Sequence, residues 1–187
     1  MRSEQEIVKS LIRGNSRAFD EMYGLYCDRI WRFLVRLTQD TTLSEDLFQE
    51  TWLAAASHAH LLREDTSLVR WLYTIARNAY RMSWRKRRAD LTKCVQLYYP
   101  IDGPRSPDDA FAARIDIERV GAAMMRLPQA FREVIVLCCL EELSSEDAAA
   151  VLEISKEAVR KRLSRARAEL AAMLNITRIT TIKRKSS

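Results

Sequence analysis

The sequence predicts an all-α protein, built as two small helical domains joined by a flexible linker. Three observations carry this. The chain has only four glycines and four prolines in 187 residues, so turns are few. No long stretch alternates apolar and polar residues as a half-buried strand would, whereas helical spacing recurs throughout. That periodicity lapses once, over residues 94–110, which hold three of the four prolines and one of the four glycines. The expected domains are 1–93 and 111–175, followed by a basic tail over 176–187. Fully extended, the 94–110 linker would reach about 60 Å, or roughly 17 base pairs of duplex DNA.

The elements follow in order. Ile7 and Leu11 mark a short leading helix, broken at Gly14-Asn15. Phe19, Met22, Tyr23, Tyr26, Ile30, Phe33, Leu34 and Leu37 mark a longer one, closed by a polar turn over 38–42. Thr42 with Glu45 three residues later reads as a capping box, opening a helix to about Ser57. Residues 58–67 read as a loop in which Asp65, Thr66 and Ser67 are cap candidates, and a long helix runs from about Leu68 to Ala89. In the second half a helix is expected from about Phe111 to Leu127. Pro128 then opens a strongly apolar helix over 129–141, from the position where a missing N–H costs nothing. Ser144 with Asp147 caps a short helix, and Ser155 caps the last long one. Glu142 and Glu153 stand where helix ends often place glycine. A left-handed cap at either costs roughly 1 kcal/mol, and a tightened right-handed turn is the alternative.

Composition narrows the class. Net charge is +6, a modest excess whose clustering matters more than its size. Basic residues crowd into 81–93 and 156–167, and acidic ones into 44–50, 108–118 and 141–153. The N-terminus has no apolar leader core, and VIVLCCL (134–140) is far too short to span a bilayer. A cytoplasmic protein without membrane insertion is expected. Cys27, Cys94, Cys138 and Cys139 lack metal-ligand spacing and read as reduced packing residues. His58 and His60 fall roughly 200° apart on a helix, which disfavours a shared metal. No nucleophile–base set, phosphate loop or metal cluster is present, so neither catalytic residues nor a cofactor are expected.

Two basic helices carry the functional signal. Over 68–88 an apolar seam (Leu68, Leu72, Ile75, Ala79, Met82) faces Arg70, Thr74, Arg77, Asn78, Arg81, Arg85 and Arg88. Trp71, Tyr73, Tyr80 and Trp84 sit on or beside the boundary. Guanidinium groups grip phosphates in bidentate fashion, and neighbouring rings stack on unpaired bases. The plainer reading is a solvated face with its aromatics in the core. The missing acidic i,i+4 partners weigh against that reading. Residues 144–171 read as a helix–turn–helix. Its second helix has the seam Val159, Leu163, Ala166 and Leu170. Its outer side carries Glu157, Arg160, Lys161, Ser164 and Arg165, with Lys156, Arg162 and Arg167 flanking. Such a helix fits the major groove, where Arg and Lys reach guanine, Glu reaches cytosine and Ser serves either. A helical hairpin at a protein interface is the alternative.

With these residues in view, the chain resembles the extracytoplasmic-function (group 4) sigma factors of bacterial RNA polymerase over about residues 16–174. SEDLFQETWLAA (44–55) and RWLYTIARNAYRMSWRKRR (70–88) resemble the family's region 2. LPQAFREVIVLCCLEELSSEDAAAVLEISKEAVRKRLSRARAEL (127–170) resembles its region 4. The departures are Glu142 and Glu153 in place of glycine, Ala148-Ala149 in place of a bulkier pair, and Ser83-Trp84. They bear on which promoter is read, not on the class.

The resemblance implies a non-catalytic specificity subunit whose partners are core RNA polymerase, promoter DNA and an anti-sigma factor. Asp46, Gln49, Glu50 and Leu53 would dock on the β′ clamp helices, and the second half's apolar flank on the β flap. Lys156, Glu157, Arg160, Lys161, Ser164, Arg165 and Arg167 would read the −35 element as duplex. Arg70, Trp71, Arg77, Asn78, Arg81, Trp84, Arg85 and Arg88, with the 58–67 loop, would seize the −10 element and hold a flipped base. The linker would thread toward the RNA exit path. A dimeric regulator using only the C-terminal helix–turn–helix is the competing reading, and it needs palindromic half-sites.

Overall fold

The computed structural model describes residues 2–91 and 119–174; for 87–91 it gives the backbone course alone. The expected linker, the tail, Cys94, the Arg88 side chain and the start of the 111–127 helix lie outside the described residues. Those described are helical, with no strand among them.

Helix α1 spans Glu4–Ile12 behind a full capping box. Ser3 Oγ accepts from the Glu6 N–H at 3.3 Å, while the Ser3 N–H donates to the Glu6 carboxylate at 2.7 Å. Gly14 turns the chain at φ +73°, and Asn15 caps α2, Ser16–Thr38. Gln39 ends α2 in the left-handed region, and Asp40 caps α3, Thr41–His58. The Thr42/Glu45 capping box is therefore corrected: the cap and the helix start both fall two residues earlier, because Asp40 presents its carboxylate to the Leu43 N–H at 3.0 Å. A 3₁₀ turn over Ala59–Leu61 follows, and then the loop into α4, Leu68–Leu91. Ile7, Val8, Met22, Phe33, Leu34, Leu47, Ala55, Leu68 and Leu72 fill the space between these helices.

In the second half, α5 is described over 119–126. Pro128 stands one place before the first turn of α6, Gln129–Ile135, rather than in it. The helix expected to run through 141 changes winding. Val136–Leu140 is a π-helical stretch, and the Glu141 N–H bonds the Val136 carbonyl at 2.9 Å. Ser144 caps α7, Ser145–Leu152, and Ser155 caps α8, Lys156–Met173. Glu142 and Glu153 both take the left-handed conformation, at φ 56° and 57°, so the right-handed alternative does not occur. The strain at Glu153 is offset by its N–H and that of Ile154 satisfying the α7 carbonyls.

The two halves do not stand apart as separate globules. One apolar core runs through both, with α7 packed on α4 and the π-helical stretch on α2. Charged groups cross the seam. Arg77 Nε pairs with Glu133 Oε2 at 2.9 Å, both side chains 4% exposed, and Arg77 Nη1 donates to the Val151 carbonyl at 3.0 Å. Arg132 donates to the Met124 and Met125 carbonyls of its own half and to the Tyr80 hydroxyl across the seam at 2.8 Å. Its guanidinium also lies 5.5 Å from the Trp84 ring centroid. Glu141 accepts from the Tyr73 hydroxyl at 2.7 Å and from Arg36 at 2.6 Å. At the corner between α2 and α3, α5 passes close to Gln39: a Cβ at position 121 would stand 3.0 Å from the Gln39 side-chain oxygen.

Candidate nucleic-acid interface

Helix α8 begins where Ser155 Oγ accepts the Ala158 N–H at 3.1 Å, and it buries Val159 and Ala166 fully. Leu163 and Leu170 pack against the same core. Burying that seam leaves Lys156, Glu157, Arg160, Lys161, Ser164, Arg165 and Arg167 all exposed on one helix. Two of them have partners: Lys156 lies 3.6 Å from Glu146, and Arg167 donates to Cys139 Sγ at 3.1 Å. Burial pushes the neighbouring Cys138 thiol up, with the adjacent Cys139 adding to it, which disfavours a reactive thiolate.

Helix α4 is divided more finely than its seam predicts. Leu68, Leu72 and Ala79 are buried as expected, but Met82 is 63% exposed. A second face, Tyr73, Ala76, Arg77 and Tyr80, is buried instead, because the other half covers it. Arg77, expected on the open basic face, is in this arrangement a buried ion-pair partner of Glu133, 4% exposed. Asn78 and Arg85 are exposed, and Arg81 and Trp84 half-buried. Arg70 lies 3.7 Å from Asp147 with both groups solvated, a pairing worth little on its own. Burial raises the Tyr73 phenol well above its ordinary value, and the hydrogen bond to Glu141 raises it further. Burial also raises Tyr80, against the opposing pull of Arg132.

At the start of α4 an open cleft of about 490 Å³ lies between the end of α3, the 3₁₀ turn and α4. Leu61, Leu62, Trp71 and Ile75 give it apolar walls, and His58, Arg63, Thr66 and Thr74 give it polar groups. The loop holds its shape through Thr66, whose hydroxyl accepts from the Arg63 N–H at 3.1 Å while its own N–H bonds the Arg63 carbonyl at 2.9 Å. A shorter cleft beside it runs past Ser67 and Arg70 to Ala150 of α7. An indole, apolar side chains and a guanidinium among the lining residues suit a planar, polar-edged ligand such as an unstacked base.

Asp46, Gln49, Glu50 and Leu53 share the outer face of α3, all exposed, with Leu53 at 69%. Behind them Tyr23, Phe48 and Trp52 pack edge-on, with Trp31 at 5.7 Å from Phe48. This gives an aromatic-backed platform with one apolar anchor and an acidic rim.

Sequence reasoning missed Arg36, Arg132, Glu133 and Glu141, the groups that join the halves. A signal existed in FREVIV (131–136), where two opposite charges interrupt an apolar helix, since buried charges are nearly always paired.

Comparison with known proteins agrees with this geometry. A family model described as Sigma-70 region 2 matches residues 22–89, and one described as Sigma-70, region 4 matches residues 117–178. The ECF RNA polymerase sigma factor SigM of Bacillus subtilis is 35% identical over 160 residues, covering 83% of this chain and 94% of that protein. Among solved structures, the sigma factor RpoE in complex with the anti-sigma factor NepR from Bartonella quintana superposes with a TM-score of 0.73 at 26% identity. That likeness covers 86% of this chain and 98% of the other. CnrH in complex with the cytosolic domain of CnrY gives a TM-score of 0.70 at 28% identity, covering 92% and 97%. The chain belongs to the extracytoplasmic-function (ECF) sigma factors of RNA polymerase.

Proposed function

We propose that this protein binds core RNA polymerase in the cytoplasm and directs it to promoters through two DNA contacts, one on each half of the chain. The observation that carries this is the pairing of an exposed basic helix, α8, with an open cleft of about 490 Å³ at the start of α4, the helix that carries Asn78, Arg81 and Arg85 further along. In this reading α8 lies in the major groove of the −35 element. Arg160, Lys161 and Arg165 reach acceptor edges, and Lys156 and Arg167 hold phosphates. The cleft takes one unstacked base of the −10 element, with Trp71 as its π-face and Thr66, Thr74 and Arg63 available to its edges. Extrusion costs a few kcal/mol, offset by those contacts.

The α3 face docks on the β′ clamp helices through Leu53, Asp46, Gln49 and Glu50, and the second half sits on the β flap. Arg77 joins the −10 contacts only after the halves part and Glu133 releases it. An anti-sigma factor, as NepR is to the RpoE relative, would hold the chain off polymerase. The protein contributes specificity, while phosphodiester formation belongs to the polymerase.

Footprinting of open complexes formed with core enzyme tests this. Protection of two separated patches of one promoter, with permanganate-reactive thymines at the downstream one, is expected. Tight binding to a palindrome without polymerase, and no strand opening with it, would refute the reading in favour of a dimeric regulator.

A further inference from the structure

The region 2 family match begins at residue 22, so α1 lies outside it. Yet α1 is anchored firmly. Ile7, Val8 and Leu11 are buried, and the helix packs on α2 and on the 3₁₀ turn. Its first residue reaches across the chain: the Leu68 N–H, at the first position of α4, donates to Glu4 Oε1 at 2.6 Å. That N–H belongs to the first turn of a helix, where no intrahelical acceptor exists. A carboxylate there also meets the positive end of the helix dipole. A second contact, solvated and weak on its own, lies further along α1, where Lys9 Nζ stands 3.3 Å from Glu64. Both contacts end on the segment 62–68, which walls the cleft.

We infer that α1 is a brace that sets the pose of the cleft loop, with Glu4 as a positioning residue for base capture in the −10 element. The inference rests on the cleft being the base pocket. Glu4 touches no DNA in this scheme. It fixes where α4 begins, and so where Trp71 and Thr74 stand opposite Leu61, Leu62 and Thr66.

The test uses full-length protein with core polymerase and a promoter carrying 2-aminopurine at successive −10 positions, whose fluorescence rises on unstacking. Glu4→Ala is expected to lower the captured fraction about two- to fivefold, the range for one charge at a helix terminus. Glu4→Gln keeps an acceptor oxygen and should recover part of the loss. Lys9→Ala should show a smaller loss of the same kind, and −35 duplex binding should be unchanged in all three. Equal losses at both DNA elements, tracking the melting temperature, would overturn the inference, since Glu4 would then be merely structural. A gain in capture would overturn it too, since Glu4 would then compete with phosphate. Trp71→Ala separates the two levels. If it abolishes capture while Glu4→Ala matches wild type, the brace fails and the pocket stands. If Trp71→Ala captures bases normally, the pocket assignment fails and the brace with it.

Discussion

Replacing Glu133 with alanine tests the seam between the halves. In the closed arrangement its carboxylate meets Arg77 Nε at 2.9 Å and accepts from Gln129 Nε2 at 2.7 Å. Alanine leaves the Arg77 guanidinium, 4% exposed, with only the Val151 carbonyl to answer it. Removing one partner of a buried pair costs about 3–5 kcal/mol, a large fraction of a domain's usual stability of about 5–15 kcal/mol. The cost falls on closure, because Arg77 belongs to one half and Glu133 to the other. The cheaper response is for the halves to separate and for water to reach Arg77. Small-angle scattering on Glu133→Ala should therefore show a larger radius of gyration, with helical circular dichroism retained. Arg77→Met combined with Glu133→Met should close again in part, since an apolar pair of similar volume often replaces a buried ion pair without loss. A scattering curve and melting temperature both indistinguishable from wild type would refute the reasoning.

Other consequences follow from the same geometry. Arg160→Ala and Arg165→Ala should each weaken binding of the holoenzyme to its −35 duplex by about 1–3 kcal/mol, read by competition gel shift. Arg81→Ala with Arg85→Ala should weaken opening and flatten its salt dependence; equal opening at several salt concentrations would remove those residues from the −10 contact. Glu50→Lys should impair capture of core polymerase in a pull-down while altering folding stability by no more than about 0.5 kcal/mol. Closure should also depend on alkaline pH. Tyr73 and Tyr80 have phenols raised above 10.0 by burial. Their contribution is complete below that value and is lost as pH rises above it, where the exposed phenols of the open form ionise first. Scattering should report expansion on that side, and Tyr73→Phe should blunt it.

What could be read in the sequence was local. Ser155 capping α8 and the seam of Val159 and Ala166 are short-range patterns, and the structure keeps them. So are the break at Gly14-Asn15 and the exposed face of α3. What could not be read depends on distant partners. Arg77 follows the basic face of α4 by spacing, yet α7 covers that side, and its partner Glu133 is 56 positions away. The second half turned an apparently one-sided helix into one buried on two faces, which is why Tyr73 and Tyr80 are core residues. Glu4 reads as an ordinary first-turn acid of α1, and its bond to Leu68 spans 64 positions. Asp40 displaced Thr42 as the cap because Gln39 turns left-handed just before it, a backbone choice that residue identity does not announce.

The central claim is that one chain grips a promoter at two places and delivers polymerase to it. Sequencing the 5′ ends of transcripts made from fragmented genomic DNA by core polymerase plus this protein tests it most directly. The account predicts a discrete set of start sites sharing a two-part upstream motif, one part lost with Arg160→Ala and the other with Trp71→Ala. Start sites no different from those of core polymerase alone would contradict it.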